Sequence, residues 1–87
     1  MELTGKTVVV TGGGRGLGRA YCESLAEQGA NVVAADIRDT TDTIKAVKSA
    51  GGRGIGVHLD VTDATSCSDM ADAAIEAYGR IDSLVNN

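Results

Sequence analysis

The sequence contains no proline, phenylalanine or tryptophan, and its only aromatic residues are Tyr21 and Tyr78. The hydrophobic core must therefore consist of aliphatic side chains and alanine, which suits helices packed closely on a parallel sheet. No apolar run approaches the roughly 18 to 20 residues of a membrane-spanning helix. The start shows no secretory signal peptide, because the apolar stretch after Lys6 is only a few residues long.

Charge and cysteine content exclude further classes of protein. The net charge is −4, and the basic residues are dispersed, which argues against a nucleic-acid or anionic-membrane partner. Cys22 and Cys67 lie far apart without the spacing of metal ligands, so we predict two reduced thiols that act as small apolar residues, and no metal site. Together these features predict a soluble, cytoplasmic protein.

Short apolar runs alternate with longer amphipathic stretches, which is the pattern of βαβ units. The predicted strands are residues 7–11, 31–36 and 55–59, with a fourth opening at 82, and the predicted helices are residues 16 to about 29, 40–50 and 63–78. Right-handed crossovers put these strands in one parallel sheet, with the doubly wound order 3-2-1-4. The predicted fold is the first four strands of a three-layer, Rossmann-type α/β domain.

Apolar spacing and end signals support each helix. The first is predicted from residues at helical spacing, namely Leu17, Ala20, Tyr21, Ser24, Leu25 and Gln28. In the second, Ile44 and Val47 are predicted to face inward. The third has one apolar stripe, made of Cys67, Met70, Ala71, Ala74, Ile75 and Tyr78. Thr62 or Asp63 can cap its start, and Gly79 can end it.

A glycine-rich turn, residues 11–18, leaves the first strand and enters the first helix. In that context glycines form a phosphate site, because the free N–H groups and the positive end of the helix dipole face the anion. Gly12 permits the tight turn, Gly16 lets the backbone approach a pyrophosphate, and Gly18 lets the helix pack against the strand. No Lys-Ser or Lys-Thr pair follows, which excludes a nucleoside-triphosphate P-loop.

Asp36 ends the second strand, where a carboxylate can accept hydrogen bonds from both hydroxyls of an adenosine ribose and repel a 2′-phosphate. This position favours NAD over NADP. Arg15 and Arg38 favour the opposite choice, since either could pair with a 2′-phosphate. We give Asp36 more weight, because the strand end fixes its position while long arginine side chains can swing away.

Asp60 and Val61 end the third strand at the same edge of the sheet. Asp60 could accept a hydrogen bond from an adenine amino group, with Val61 covering the ring. Alternatively, Asp60 caps the following helix together with Thr62 and Asp63. His58 has no visible nucleophile or metal partner, so it is interpreted as a surface or strand histidine.

These features together resemble the short-chain dehydrogenase/reductase family. The resemblance rests on Thr11-Gly12-x-x-x-Gly16-x-Gly18, Asp36, Asp60-Val61 and Leu84-Val85-Asn86-Asn87, and it covers the whole chain in order. It implies that residues 12–18 hold the pyrophosphate, Asp36 the ribose, Asp60 and Val61 the adenine, and that Asn86 and Asn87 line the cofactor crevice. The full set of predicted cofactor-binding residues is Thr11, Gly12, Gly14, Arg15, Gly16, Leu17, Gly18, Asp36, Ile37, Asp60, Val61, Asn86 and Asn87.

The family's catalytic residues find no match in this sequence. Its members use a Tyr-x-x-x-Lys pair with a serine and a later asparagine. Neither tyrosine has a lysine four residues on, since Leu25 follows Tyr21 and Asp82 follows Tyr78 at that spacing. We therefore predict the cofactor-binding half of an NAD-dependent oxidoreductase, inactive alone. In full-length form it would act on a small alcohol or carbonyl compound and form a homo-oligomer.

Two other functions fit parts of the pattern. One is a dinucleotide-binding module without catalytic activity. The other is a protein that binds S-adenosylmethionine, which also uses a glycine loop and an acid after the second strand. The three residues between Gly12 and Gly16, together with the Asn86-Asn87 ending, favour the dehydrogenase over the S-adenosylmethionine-binding protein. The fourth strand is also predicted to leave Leu84 and Val85 at an open sheet edge, which makes the isolated chain marginally stable or prone to associate.

Overall fold

The structure, a computed structural model, describes residues 2–87, in which four parallel strands alternate with three helices. The elements are β1 (Thr7–Thr11), α1 (Gly16–Glu27), β2 (Asn31–Asp36), α2 (Thr41–Ser49), β3 (Arg53–His58), α3 (Ala64–Tyr78) and β4 (Ser83–Val85). The strand order is β3-β2-β1-β4. The predicted fold class and strand order are thus confirmed.

Alternating side chains on the central strands divide the core into two layers. Val8 and Val10 of β1 face α1 and α2, and they pack with Cys22, Ala26 and Val47. On the opposite face of the sheet, the buried side chains of Val9, Val33, Ala35 and Leu59 pack against α3, which contributes Ala74. This burial on both faces explains the unbroken β-branched run of β1.

The third strand begins earlier and ends one residue sooner than the sequence predicted. It pairs with the whole length of β2, from Asn31 opposite Arg53 to Asp36 opposite His58. Gly54 and Gly56 let α2 and its N-cap residue approach this strand closely. A Cβ on Gly54 would lie 3.0 Å from Val47 Cγ1, and one on Gly56 would meet the Thr40 hydroxyl.

The helical spacing correctly predicted α1, but most of the residues used for that prediction lie on its exposed side. Leu17 is 60% exposed and Tyr21 is 40% exposed. The buried face is made of small residues, Gly18, Cys22 and Ala26, which bring the helix close to the sheet. This face of α1 is buried because the helix lies close to the sheet, and not because its side chains are large.

The faces of the other two helices follow the sequence more closely. Val47 of α2 is fully buried, and Ile44 packs partly buried against the same cluster. On α3, most of the predicted stripe packs inward, but Ile75 is 48% exposed. Asp63, and not Thr62, caps α3 by accepting hydrogen bonds from the backbone N–H groups of residues 65 and 66. Gly79 ends α3 in the left-handed conformation, as predicted.

Candidate functional site

A crevice of about 490 Å³ opens at the carboxyl ends of the four strands. Its walls come from the turns that follow each strand, and they consist of Thr11, Gly12, Ala35, Asp36, Ile37, Leu59, Asp60, Val61, Asn86 and Asn87. Eight of the predicted site residues line it, namely Thr11, Gly12, Asp36, Ile37, Asp60, Val61, Asn86 and Asn87. The other five, Gly14 to Gly18, form the loop and the start of α1 that follow Gly12 in the chain.

Two glycines give the loop between β1 and α1 its shape. Gly12 and Gly16 have φ angles of +65° and +60°, a conformation that other residues adopt only at a cost. A Cβ on Gly12 would lie 2.9 Å from the Asn87 side-chain nitrogen. A Cβ on Gly16 would meet no atom of residues 2–87 within 4 Å. Gly16 therefore borders open space, as a backbone position for an approaching ligand requires.

The middle of the loop lies against β2. The backbone N–H of Gly13 donates to the carbonyl of Ala35 at 3.3 Å. The next N–H, that of Gly14, donates to Oδ2 of Asp36 at 2.9 Å. Since the Gly14 N–H already has this partner, Gly14 shapes the loop and its N–H does not point freely toward an anion.

The first turn of α1 offers free donors instead. The N–H groups at the start of any α-helix lack partners within the helix. Arg15, the N-cap residue, has an extended backbone, and its side chain makes no capping hydrogen bond within residues 2–87. The N–H groups of Gly16, Leu17 and Gly18 thus begin the helix without a side-chain cap from Arg15, whereas Asp63 caps α3. This end of α1 is electrostatically suited to an anion.

Gly18 allows the close approach of α1 to the loop. A Cβ at this position would collide with the Gly12 carbonyl and would lie 2.8 Å from Asn87 Nδ2. The glycine predicted to let the helix pack on the strand therefore packs on the turn at the strand's end. Any larger residue would displace backbone atoms, which cannot rotate away as a long side chain can.

Asp36 is buried at the rim of the crevice with both carboxylate oxygens engaged. Oδ1 accepts from the Arg38 N–H at 3.0 Å, and Oδ2 accepts from the Gly14 N–H. Burial raises the pKa of Asp36, but these backbone hydrogen bonds outweigh it, so the net pKa lies below its ordinary value. A carboxylate has about four acceptor positions, so the group keeps capacity for hydroxyl donors.

Asp60 stabilises the turn after β3. Its Oδ1 accepts from the Thr62 N–H at 2.9 Å and from the Thr62 hydroxyl at 2.6 Å, which together hold its pKa below the ordinary value. Its own N–H donates to the hydroxyl of Ser66. The alternative prediction, in which Asp60 caps α3 together with Thr62 and Asp63, is right for Asp63 and wrong for Asp60, whose side chain bonds Thr62 before the helix begins. Val61 beside it is 68% exposed and forms part of the crevice wall.

Thr11 joins the end of β1 to the end of β4. Its hydroxyl lies 3.3 Å from both the Val85 carbonyl and Oδ1 of Asn86, and can donate to one of them at a time. The same oxygen accepts from the Asn87 N–H at 3.0 Å, and Asn87 Nδ2 donates to the Gly12 carbonyl at 3.4 Å. Asn86 and Asn87 thus set the position of the glycine loop relative to β4.

Sequence reasoning missed three residues around the site. Ala35 and Leu59 line the crevice, and both follow from strand periodicity, since each belongs to the layer under α3. Thr43 of α2 donates from its hydroxyl to the Gly13 carbonyl at 2.7 Å. Thr43 lies one helical turn before Val47, so the inward face of α2 gave a signal for it.

Other kinds of site find little support in the part of the chain that the structure describes. Residues 2–87 contain no group of three His, Cys, Asp or Glu side chains that could hold a metal ion. Over the same residues, no helix has the length and apolar character needed to cross a membrane. His58 is exposed at the end of β3, as predicted.

The chain has a parallel sheet between two layers of helices, with a glycine-rich turn at the carboxyl edge of the sheet. These features define it as a Rossmann-type domain. The sequence model of one family, described as short chain dehydrogenase, matches residues 6–87. The chain belongs to the short-chain dehydrogenase family. This confirms the resemblance inferred from the sequence motifs.

Known dehydrogenases are similar to this chain in sequence and in structure. Fluoren-9-ol dehydrogenase from Terrabacter sp. is 44% identical over 87 residues, which cover 99% of this chain and 24% of that protein. The crystal structure of a hydroxysteroid dehydrogenase from Escherichia coli matches with a TM-score of 0.95 and 34% identity, covering 99% of this chain and 37% of that one. A short chain dehydrogenase from Mycobacterium paratuberculosis bound to NAD matches with a TM-score of 0.92 and 27% identity, covering 100% and 38% of the two chains. The chain therefore spans well under half the length of these relatives.

Proposed function

We propose that these 87 residues form the cofactor-binding part of a short-chain dehydrogenase that uses a nicotinamide dinucleotide, with NAD preferred to NADP. The observation that carries the proposal is the start of α1, where the N-cap residue Arg15 has no side-chain acceptor atom to offer the first N–H groups and Gly16 borders open space. An anion placed there would accept hydrogen bonds from N–H groups that Arg15 does not cap. The same edge of the sheet carries Asp36 and Asp60, which would hold the adenosine part.

The residues present fit a dinucleotide in both shape and charge. Residues 16–18 would bind the pyrophosphate, since a Cβ on Gly16 would occupy the open space beside the helix end. Asp36 would accept from the ribose hydroxyls with the acceptor positions that Gly14 and Arg38 leave free. The exposed Val61 would cover one face of the adenine, where a ring would remove apolar surface from water.

The reaction we propose is hydride transfer between an alcohol or carbonyl substrate and the cofactor. Relatives described as dehydrogenases and a relative bound to NAD support this class of reaction. A bound nicotinamide dinucleotide would supply or accept the hydride. The part played by residues 11–18, 36, 60 and 86–87 is to bind and orient the cofactor, while catalytic groups and substrate contacts would come from a longer protein.

The proposed preference for NAD is supported by the charge and burial of Asp36. Its lowered pKa keeps the carboxylate ionised at neutral pH, so a 2′-phosphate placed there would meet a like charge. Arg38 is exposed, donates its backbone N–H to Asp36, and adds a smaller electrostatic contribution that also lowers the Asp36 pKa. The cytoplasmic location stays a prediction, based on the two free cysteines.

Two matched glycine variants test the proposed phosphate site. Gly16→Ala and Gly51→Ala both place a Cβ at a positive φ, +60° and +83°, with no atom of residues 2–87 within 4 Å. Both should lower the free energy of unfolding by about 1 kcal/mol. Only Gly16→Ala puts a methyl group against the proposed pyrophosphate, so it alone should weaken NADH binding, by at least about tenfold.

The readout is NADH fluorescence titrated against the 87-residue chain and the two variants, with urea unfolding measured in parallel. Equal NADH affinities in Gly16→Ala and Gly51→Ala would contradict a phosphate site at the start of α1. Gly51 is a suitable control, because it follows α2 at the opposite end of the sheet from the crevice.

A further inference from the structure

The hydroxyl of Thr43 bonds to a residue outside its own helix. Thr43 is fully buried on α2, and its Oγ1 donates to the Gly13 carbonyl at 2.7 Å, across 30 positions of the chain. Thr43 is the third residue of α2, so no residue of the helix lies three or four positions earlier to accept from its hydroxyl, as happens for threonines farther along a helix. Here the hydroxyl reaches out of α2 and into the middle of the glycine loop.

This contact completes a set of three hydrogen bonds that hold the loop on β2 and α2. The Gly13 N–H donates to Ala35, the Gly14 N–H donates to Asp36, and the Gly13 carbonyl accepts from Thr43. The three bonds lie between Gly12 and Gly16, the two positions of positive φ. Glycine segments are otherwise free to adopt many conformations, so these bonds fix the path of the loop.

Among the three, the contribution from Thr43 comes from a different element. Ala35 and Asp36 are neighbours in β2 and hold one edge of the loop. Thr43 bonds to the carbonyl of the peptide whose N–H, that of Gly14, bonds to Asp36. It does so from the helical layer formed by α1 and α2. Because the Thr43 side chain is fully buried, water has little access to this contact and cannot readily replace the hydroxyl as the donor to Gly13.

We propose that Thr43 is a positioning residue for the pyrophosphate of the cofactor: it holds the Gly13 carbonyl so that the loop and the first turn of α1 are preformed for the anion. The inference rests on the proposed function of the glycine loop and adds a residue from outside the loop to it. Thr43 does not line the crevice and acts through Gly13 alone.

The test removes the hydroxyl while keeping the shape of the side chain. Thr43→Val leaves the Gly13 carbonyl buried without its donor, whereas Thr43→Ser keeps the donor. Val47→Ala, one turn later on the same buried face, removes packing without removing a loop contact. It therefore serves as a control for general destabilisation of α2.

Two measurements separate positioning from simple stability. In the ligand-free chain, amide hydrogen exchange of Gly14 should be about tenfold faster in Thr43→Val, and close to that of the parent chain in Thr43→Ser and Val47→Ala. NADH affinity should fall by about tenfold in Thr43→Val, while the affinity for adenosine, which has no pyrophosphate, should fall much less.

The outcomes distinguish this proposal from the proposed function. If NADH does not bind the parent chain, the proposed function fails, while the Gly14 exchange rates still decide whether Thr43 holds the loop. Unchanged Gly14 exchange in Thr43→Val would overturn the proposal. Faster exchange with unchanged NADH affinity would overturn it too, as would an equal loss of NADH affinity in Val47→Ala.

A spectroscopic readout on the parent chain applies if Thr43→Val does not fold. A hydroxyl proton that is buried and bonded to Gly13 exchanges slowly with water, so it should give its own NMR resonance. A Thr43 hydroxyl in rapid exchange with water would contradict the contact on which the proposal depends.

Discussion

The carboxylate of Asp36 accepts a hydrogen bond of 2.9 Å from the backbone N–H of Gly14. The residue proposed to select the cofactor's ribose therefore also fixes the loop proposed to bind its pyrophosphate. A Cβ on Gly14 would lie 2.8 Å from the same carboxylate oxygen, so this contact itself requires glycine. The proposed recognition of the two halves of the cofactor would therefore be coupled through one side chain.

Cofactor choice should depend on the charge of Asp36. Asp36→Asn keeps an acceptor oxygen for Gly14 but removes the negative charge that would repel a 2′-phosphate. We expect NADH affinity to fall by about tenfold and the preference for NADH over NADPH to shrink or reverse. Asp36→Ala should weaken NADH binding further, because it also frees the loop.

Titration of NADH and NADPH by fluorescence measures both effects. Asp39→Asn is the matched control, since Asp39 is an exposed carboxylate that bonds Thr41 and does not line the crevice. Tighter binding of NADPH than of NADH by the parent chain would show that the account of Asp36 is wrong.

Gly18→Ala should destabilise the chain although alanine is the better helix former. Within a helix this change ordinarily gains up to about 1 kcal/mol. Here the added Cβ collides with the Gly12 carbonyl, so we expect a net loss of about 2 kcal/mol, in the range of overpacked cores. Urea unfolding measures the difference, and Ser24→Ala on the exposed side of α1 gives the ordinary helix-propensity gain for comparison. A stabilised Gly18→Ala variant would mean that α1 does not pack on the loop as described.

Thr11→Val should loosen the junction between β1 and β4. The substitution preserves shape but removes the hydroxyl shared by Val85, Asn86 and Asn87, so the Asn87 N–H loses its acceptor. We expect the free energy of unfolding to fall by about 1 to 2 kcal/mol, with Thr11→Ser retaining most of it. The contradicting outcome is a Thr11→Val variant as stable as Thr11→Ser.

The hydrogen bonds to Asp36 should make stability depend on acid pH. The pKa of Asp36 is lowered in the folded chain, so its contribution is present above the unfolded pKa of about 4 and is lost as the pH falls through the folded value. The difference in unfolding free energy between the parent chain and Asp36→Asn should therefore shrink as the pH falls from 7 to below 4. A difference that stays constant over this range would count against the ionised, hydrogen-bonded carboxylate.

The two cysteines should react at very different rates. Burial, with a smaller contribution from Glu23, raises the pKa of Cys22 to about 11, and its side chain is fully buried. Cys67, a residue of α3, is half-buried. At pH 8, mass spectrometry after iodoacetamide treatment should find Cys67 modified first, and Cys22 modified only as fast as the chain unfolds. Equal rates in the absence of denaturant would contradict the packing of α1.

The sequence predicted the fold because its local signals agree with one another. The Val8, Val9 and Val10 run requires a strand buried on both faces, and the alternation of strands with amphipathic segments requires parallel crossovers. The same logic brought Asp36, Asp60 and the Asn86-Asn87 pair to one edge, because the carboxyl ends of parallel strands share it. These predictions depend on periodicity and connectivity, which are local properties.

What the sequence did not predict depends on distances between elements. Small residues pack α1 on its Gly18, Cys22 and Ala26 face, so apolar bulk at Leu17 and Tyr21 was a misleading guide to its orientation. The hydrogen bond between Gly14 and Asp36 spans 22 positions of the chain, and the one between Thr43 and Gly13 spans 30. No spacing rule identifies such pairs before the loop is placed on the sheet.

NMR titration of the 87-residue chain with NADH tests the central claim most directly, because it reports on every backbone amide at once. The account predicts saturable shifts that are largest at residues 12–18, at Asp36 and Ile37, at Asp60 and Val61, and at Asn86 and Asn87. Residues at the opposite edge of the sheet, such as Gly51 and Arg53, should shift little. The absence of saturable shifts, or shifts centred on the opposite edge, would contradict a dinucleotide site at the carboxyl ends of the strands.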